Sequence, residues 1–137
     1  MAYLLDTCVI SELVRVEPDK AVVRWFDKSY GSGVLCSPVV MELEAGLAID
    51  KKGAPSPKLR AAIDRLLRRF LAERRLVFDE AAAVASAAVL GVARRTGRPI
   101  GIVDAQIIGL AISTRSAVAT RDADFLDRGV EIVNPWM

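Results

Sequence analysis

A chain of 137 residues with 53% hydrophobic and 26% charged side chains is long enough for one domain with a proper core and too short for two. Its net charge is only +2, yet 14 of the 19 basic residues are arginine, a bias that favours phosphate contact over mere solubility. Histidine is absent, which excludes Ser-His-Asp and Cys-His hydrolysis and the His-based nuclease mechanisms, and leaves chemistry to carboxylates, metal, lysine or hydroxyls.

The chain opens on Tyr3-Leu4-Leu5-Asp6-Thr7, a short apolar run that reads as a buried strand stopping on a carboxylate. Val9, Ile10, Leu13 and Val14 then take up helical spacing, with the helix expected to end near Glu17-Pro18 because proline pushes its predecessor out of the helical region. Pro18 suits the first turn of a second helix through Val22, Val23, Trp25 and Phe26. Tyr30-Gly31-Ser32-Gly33 follows a helix and precedes a strand, the reverse of a dinucleotide loop, so it reads as a turn.

Val34-Leu35-Cys36 is a second buried strand, and Ser37-Pro38 reads as N-cap and first residue of a helix running to about Asp50. Glu42 and Glu44 on that helix differ by roughly 200° of rotation, so at most one faces inward. Glu42 shares its face with Ala45, Gly46 and Ile49, and is the one expected to point into a cleft. The one clear loop is Lys51 to Pro57. A helix follows with Leu59, Ile63, Leu66, Leu67 and Phe70 on one face.

Leu76-Val77-Phe78 is a short strand, and Asp79 caps an alanine-rich helix that ends at Gly97. Asp104 heads another helix, through Ser113. The strand Ala117 to Thr120 delivers Arg121-Asp122-Ala123-Asp124, and the last strand spans Val130 to Val133. Strands alternating with helices imply an α/β fold with a mainly parallel central sheet of about five strands and helices on both faces, one domain over residues 1–137. No uncharged run is longer than Ala81 to Ala93, which reaches about 20 Å as a helix, short of a membrane's ~30 Å. Met1-Ala2-Tyr3 lacks the basic region of a signal peptide, and Cys8 and Cys36 form no CxxC pair, so a soluble protein of a reducing cytoplasm is expected.

Asp6, Asp104 and Asp122 each head a buried stripe. Helix capping explains any one of them alone. Glu42 resists that explanation, because it stands a full turn inside its helix, where an unpaired carboxylate is costly. Three strand-end or helix-head aspartates and one inward glutamate are what a hard-cation site needs, so Mg²⁺ or Mn²⁺ fits and zinc does not.

Leu4-Leu5-Asp6-Thr7, Val40-Met41-Glu42-Leu43-Glu44-Ala45-Gly46, Arg98-Pro99-Ile100-Gly101-Ile102-Val103-Asp104-Ala105-Gln106-Ile107, Thr120-Arg121-Asp122 and Val133-Asn134-Pro135-Trp136 together resemble a PIN-domain ribonuclease. The nearest kind is the VapC-type toxin of prokaryotic toxin-antitoxin modules. The resemblance implies that Asp6, Glu42, Asp104 and Asp122 form the acidic quartet that binds Mg²⁺ or Mn²⁺, with Thr7 the hydroxyl beside the first acid and Thr120 and Asp124 as further candidates. Asp122 is preferred over Asp124 because it directly follows the strand end. The family usually carries asparagine where Cys8 stands, with the loss of a hydrogen bond beside Asp6 as the expected consequence.

The implied reaction is attack of ion-activated water on an RNA phosphodiester in a loop or single strand. Basic residues must draw RNA toward an acidic site. Arg65, Arg68, Arg69, Arg74, Arg75, Arg94, Arg95 and Arg98 are candidates, with Arg68, Arg69 and Arg98 preferred. A cognate antitoxin covering the acidic cleft and an apolar groove, and a homodimer, are further implications. A non-catalytic RNA-binding or partner-binding module of the same fold is the alternative, opposed by retention of all four acids. A phosphotransferase using Asp6 as nucleophile is opposed by the lack of a second acid at the required spacing.

Overall fold

The computed structural model describes residues 1–48 and 56–137. Five strands, β1 (Tyr3–Leu5), β2 (Gly33–Cys36), β3 (Arg75–Leu76), β4 (Ala117–Ala119) and β5 (Ile132–Val133), form one sheet in the order β3-β2-β1-β4-β5. Every pairing is parallel. The six helices among the described residues are α1 (Thr7–Leu13), α2 (Lys20–Ser29), α3 (Ser37–Ala48), α4 (Pro57–Leu67), α5 (Glu80–Thr96) and α6 (Ile102–Thr114).

Leu4, Leu5, Val34, Leu35, Cys36, Val118 and Ala119 are all buried. Consecutive strand residues point to opposite faces, so both faces of the sheet are covered. Val9, Ile10, Val39, Leu43, Ile107, Ile108 and Phe125 complete the core. The α6 helix is apolar nearly all round and buries Ala105 and Ile107 to Ala111, as a helix packed on several sides must. Among the described residues none of the helices is long and apolar enough to cross a membrane.

Helix starts follow local chemistry. Asp79 accepts from the Ala82 N–H at 2.9 Å, and Gly97 closes α5 at φ +69°, a left-handed cap that glycine adopts without strain. Tyr30–Ser32 is a single 3₁₀ turn leading into β2, as expected.

Several boundaries differ from the sequence expectation. The first helix stops at Leu13, not near Glu17, and Asp19 rather than Pro18 opens α2, its carboxylate accepting from the Ala21 N–H at 2.8 Å. The cause is tertiary: buried Glu12 accepts the Asp19 N–H at 3.0 Å and fixes the connection. Ser37 is the first helical residue, and its hydroxyl accepts the Phe78 N–H at 3.0 Å. That contact ties the sheet edge to α3. Leu59 and Val77 are exposed, and β3 and β5 are only two residues each. Ile49, Asp50 and most of the Lys51–Pro57 loop lie outside the described residues.

Candidate active site

Strand order reverses across β1 and β4, because β2 and β3 extend the sheet on one side and β5 on the other. Parallel sheets place their ligand crevice at the carboxyl ends of the strands flanking such a point. Asp6 follows β1 directly, Thr120 and Asp122 follow β4, and Glu42 projects from α3, the helix that β2 feeds. Asp104 stands in the first turn of α6.

Asp6 is buried, at 6% exposure. Its Oδ1 accepts from the Thr7 N–H at 2.8 Å, and its Oδ2 accepts from the Thr120 hydroxyl at 2.7 Å and the Cys8 thiol at 3.3 Å. The Thr7 hydroxyl donates to Glu42 Oε1 at 2.6 Å, a short charge-assisted bond. That contact links the first acid's neighbour to the second acid.

Fully buried Thr120 donates to Asp6 and accepts from the Asp122 N–H at 3.0 Å. One hydroxyl therefore fixes two acids from distant segments. A threonine bonding the N–H two residues on is a standard local turn, and the Thr-x-Asp spacing is the sequence signal for it.

Asp104, Asp122 and Asp124 each bring a carboxylate oxygen within 4.8 Å of the other two. Asp124 thus stands in the cluster with Asp122, although the Asp122 charge acts on Asp104 more strongly and its N–H is tied to Thr120. Burial, and then the charges of Asp6, Asp122, Glu42 and Asp124, push Asp104 up from the ordinary 3.8 to about 6. All four other acids are close enough to oppose its ionisation.

The capping and site explanations of the aspartates prove compatible. Asp6 caps α1, Asp122 caps the 3₁₀ turn of Ala123–Phe125, and Asp104 caps nothing, since Gly101 holds the cap of α6. Glu42 is inward for a different reason from that expected. Ala45 and Gly46 are exposed, the core face of α3 is Val39, Leu43 and Leu47, and Glu42 lies half-buried at its margin. Glu44 turns away and pairs with Arg60 at 2.5 Å.

Cys8 corrects an expectation as well. Its thiol supplies a hydrogen bond to Asp6, so that side of the carboxylate has a donor without asparagine. Burial, then the charge of Asp6, raises the thiol to about 11, which keeps it protonated and able to donate.

The arginines divide. Arg69 lies over the rings of Phe26 and Tyr30, and Arg74 over Tyr30 and Phe70 while donating to the Gly33 carbonyl at 2.9 Å. Arg75 donates to the Phe70 carbonyl at 2.9 Å, and Arg98 to that of Leu126 at 3.1 Å. These four hold loops. Arg68, the C-cap residue of α4, is exposed.

Metal-free protein gives a direct check on the acid cluster. An unfolded chain holds the Asp104 proton with pKa 3.8 and the folded chain at about 6, so the folded state is relatively favoured below pH 3.8. The penalty grows as pH rises toward 6 and is constant above. It is worth on the order of 1 kcal/mol once solvent screening of this half-exposed group is allowed for. Asp104→Asn is therefore expected to melt roughly 2–5 °C above wild type at pH 8 without metal, and to lose that advantage near pH 4. A lower melting temperature for the metal-free variant at pH 8 would contradict the clustering.

A doubly covered parallel sheet with carboxylates gathered at its switch point defines an α/β protein built around an acidic crevice. The sequence profile of the PIN domain matches residues 3–131, and the chain belongs to the PIN-domain family. It is 36% identical over 135 residues to the VapC ribonuclease Y4jK of Sinorhizobium fredii, covering 97% of this chain and 96% of that one. Toxin FitB of Neisseria gonorrhoeae is 35% identical, with 97% of each chain covered. The crystal structure of FitAcB from Neisseria gonorrhoeae superposes with a TM-score of 0.83 at 35% identity, covering 98% of each chain.

Proposed function

We propose that the protein is a Mg²⁺- or Mn²⁺-dependent endoribonuclease and the toxin of a toxin-antitoxin pair, with Asp6, Glu42, Asp104 and Asp122 as its acidic quartet and Asp124 beside them. The observation that carries this reading is the convergence of five carboxylates on the carboxyl ends of β1 and β4. The donor set is oxygen throughout, and carboxylates crowded around one another are what a hard divalent cation stabilises. Full-length similarity to a VapC ribonuclease and to toxin FitB supports the choice of RNA and of the toxin role.

When bound, the cation would supply Lewis acidity at the phosphodiester and make water a competent nucleophile at neutral pH. The chain's own residues prepare for this. Thr7, Cys8 and Thr120 lock the Asp6 carboxylate, the Thr7 hydroxyl orients Glu42, and Asp104 must release its proton before the site carries its full charge. Cation affinity should therefore rise with pH through about 6.

A cognate antitoxin would cover the crevice and an apolar groove on the helices. One such groove, of about 450 Å³, is lined by Ala85, Ala88, Val89, Val92 and Ile112. A homodimer and a cytoplasmic location complete the proposal.

The test is cleavage of structured RNA by protein freed of any co-purifying partner. Cleavage should appear with Mg²⁺ or Mn²⁺, stop with EDTA and return on adding Mn²⁺, and 5′-end sequencing of the products then identifies the sites. A protein that binds RNA yet leaves it intact under all these conditions would be the non-catalytic module instead.

A further inference from the structure

Arg121 sits beside Asp122 at the edge of five carboxylates, yet among the described residues it forms no ion pair with any of them. Its guanidinium lies instead over the indole of Trp136, 4.3 Å from the ring, a cation–π contact that holds it apart from the acids. Trp136 is fixed in turn: its backbone N–H donates to Asn134 Oδ1 at 3.0 Å, and its indole is one of the groups that hold buried Glu12 below the usual carboxylate range, after the Asp19 N–H and Arg15. Arg121 and Asp122 line the same hollow of about 240 Å³, with Thr120, Leu126, Ile132 and Asn134.

A guanidinium left to itself there would swing onto Asp122 or Asp124, cancelling its own charge and a ligand oxygen together. The indole prevents that. An exposed positive fork parked one residue from the acids suits a phosphate group of the chain being cut.

Resting on the ribonuclease reading, we infer that Arg121, positioned by Trp136, binds a backbone phosphate of single-stranded RNA next to the bond at the acidic site. The contact is to phosphate, so it serves every sequence alike.

The experiment measures fluorescence anisotropy of labelled single-stranded RNAs of unrelated sequence, in Mg²⁺ and over a range of salt, with the Asp104→Asn protein so that the RNA stays intact. Adding Arg121→Gln should weaken binding about fivefold at 0.1 M salt and flatten the slope of log K against log salt by about 0.7, the value for one single-strand phosphate. Arg121→Lys should keep the slope. Trp136→Phe should bind as the parent does, whereas Trp136→Leu should lose as much affinity as Arg121→Gln.

An unchanged slope for Arg121→Gln, with only a lowered melting temperature, would make the pair a structural staple and overturn the inference. Equal binding by Trp136→Leu and Trp136→Phe would overturn the positioning role. Cleavage by the otherwise wild-type protein separates the two levels. If it cuts RNA but the slope does not move, the inference alone fails. If it neither cuts nor binds RNA, both fail.

Discussion

The Asp104→Asn protein should cleave RNA on the order of a thousandfold more slowly than wild type in saturating Mn²⁺. Loss of a mere outer partner of a metal ligand already lowers affinity or activity 10–100-fold, and here the carboxylate itself is removed. Asp104 makes no capping bond in α6, whose cap is Gly101. The variant should therefore fold, and its activity loss can be read as chemistry. Asp6→Asn should lose as much activity and also stability. Its carboxylate accepts from three donors, the Thr7 N–H, the Thr120 hydroxyl and the Cys8 thiol, and an amide presents a donor to one of them. A buried mismatch of this kind costs roughly 1–3 kcal/mol. Initial rates on a structured RNA and melting curves separate the two effects. Cleavage by either variant at the wild-type rate would mean that the acidic crevice is not where the reaction occurs.

What could be read from the sequence was local. Asp6 at a strand end, Asp79 and Gly97 as the two caps of α5, and the turn at Tyr30–Ser32 each depend on residues within a few positions of one another. The mainly parallel sheet followed from alternation of strands and helices, although no local pattern reveals that β1 is central. Boundaries fixed by distant partners were misplaced: α1 ends early because Glu12 takes the Asp19 N–H. Glu42 is half-buried as expected, but the premise for it fails, since Ala45 and Gly46 are exposed rather than core-facing. Arginines were the least legible. Arg69 looks like any solvated cation until Tyr30, from another part of the chain, is placed beneath it. Arg121, among the candidates for nothing in sequence, acquires its interest only when Trp136 lies under it.

The same limit of sequence reading appears where Asp104's helix meets α5, and it yields the largest stability effect expected. Gly109 in α6 and Ser86 in α5 meet at the most extensive helix contact among the described residues. A Cβ added at Gly109 would lie 2.0 Å from the Ser86 hydroxyl, 2.5 Å from the Ser86 backbone nitrogen and 2.8 Å from the Ala82 carbonyl oxygen. A hydroxyl can rotate away, although this one is bonded to the Ala82 carbonyl at 2.8 Å. The backbone atoms cannot move without separating the helices. Overpacking ordinarily costs 1–3 kcal/mol, and a clash with two backbone atoms belongs at or above the top of that range. The helix propensity gained on replacing glycine by alanine returns only about 1 kcal/mol. Gly109→Ala should thus destabilise the protein by about 3 kcal/mol, a fall in melting temperature of roughly 6–12 °C. Gly109→Ala with Ser86→Gly should recover part of the loss, because the nearest atom is then gone while the backbone contacts remain. Because α6 also carries Asp104, spreading the helices should weaken Mn²⁺ binding along with stability. Calorimetric Mn²⁺ titration and thermal melts of the single and double variants check both. A Gly109→Ala protein as stable as wild type would show that α5 and α6 do not approach this closely.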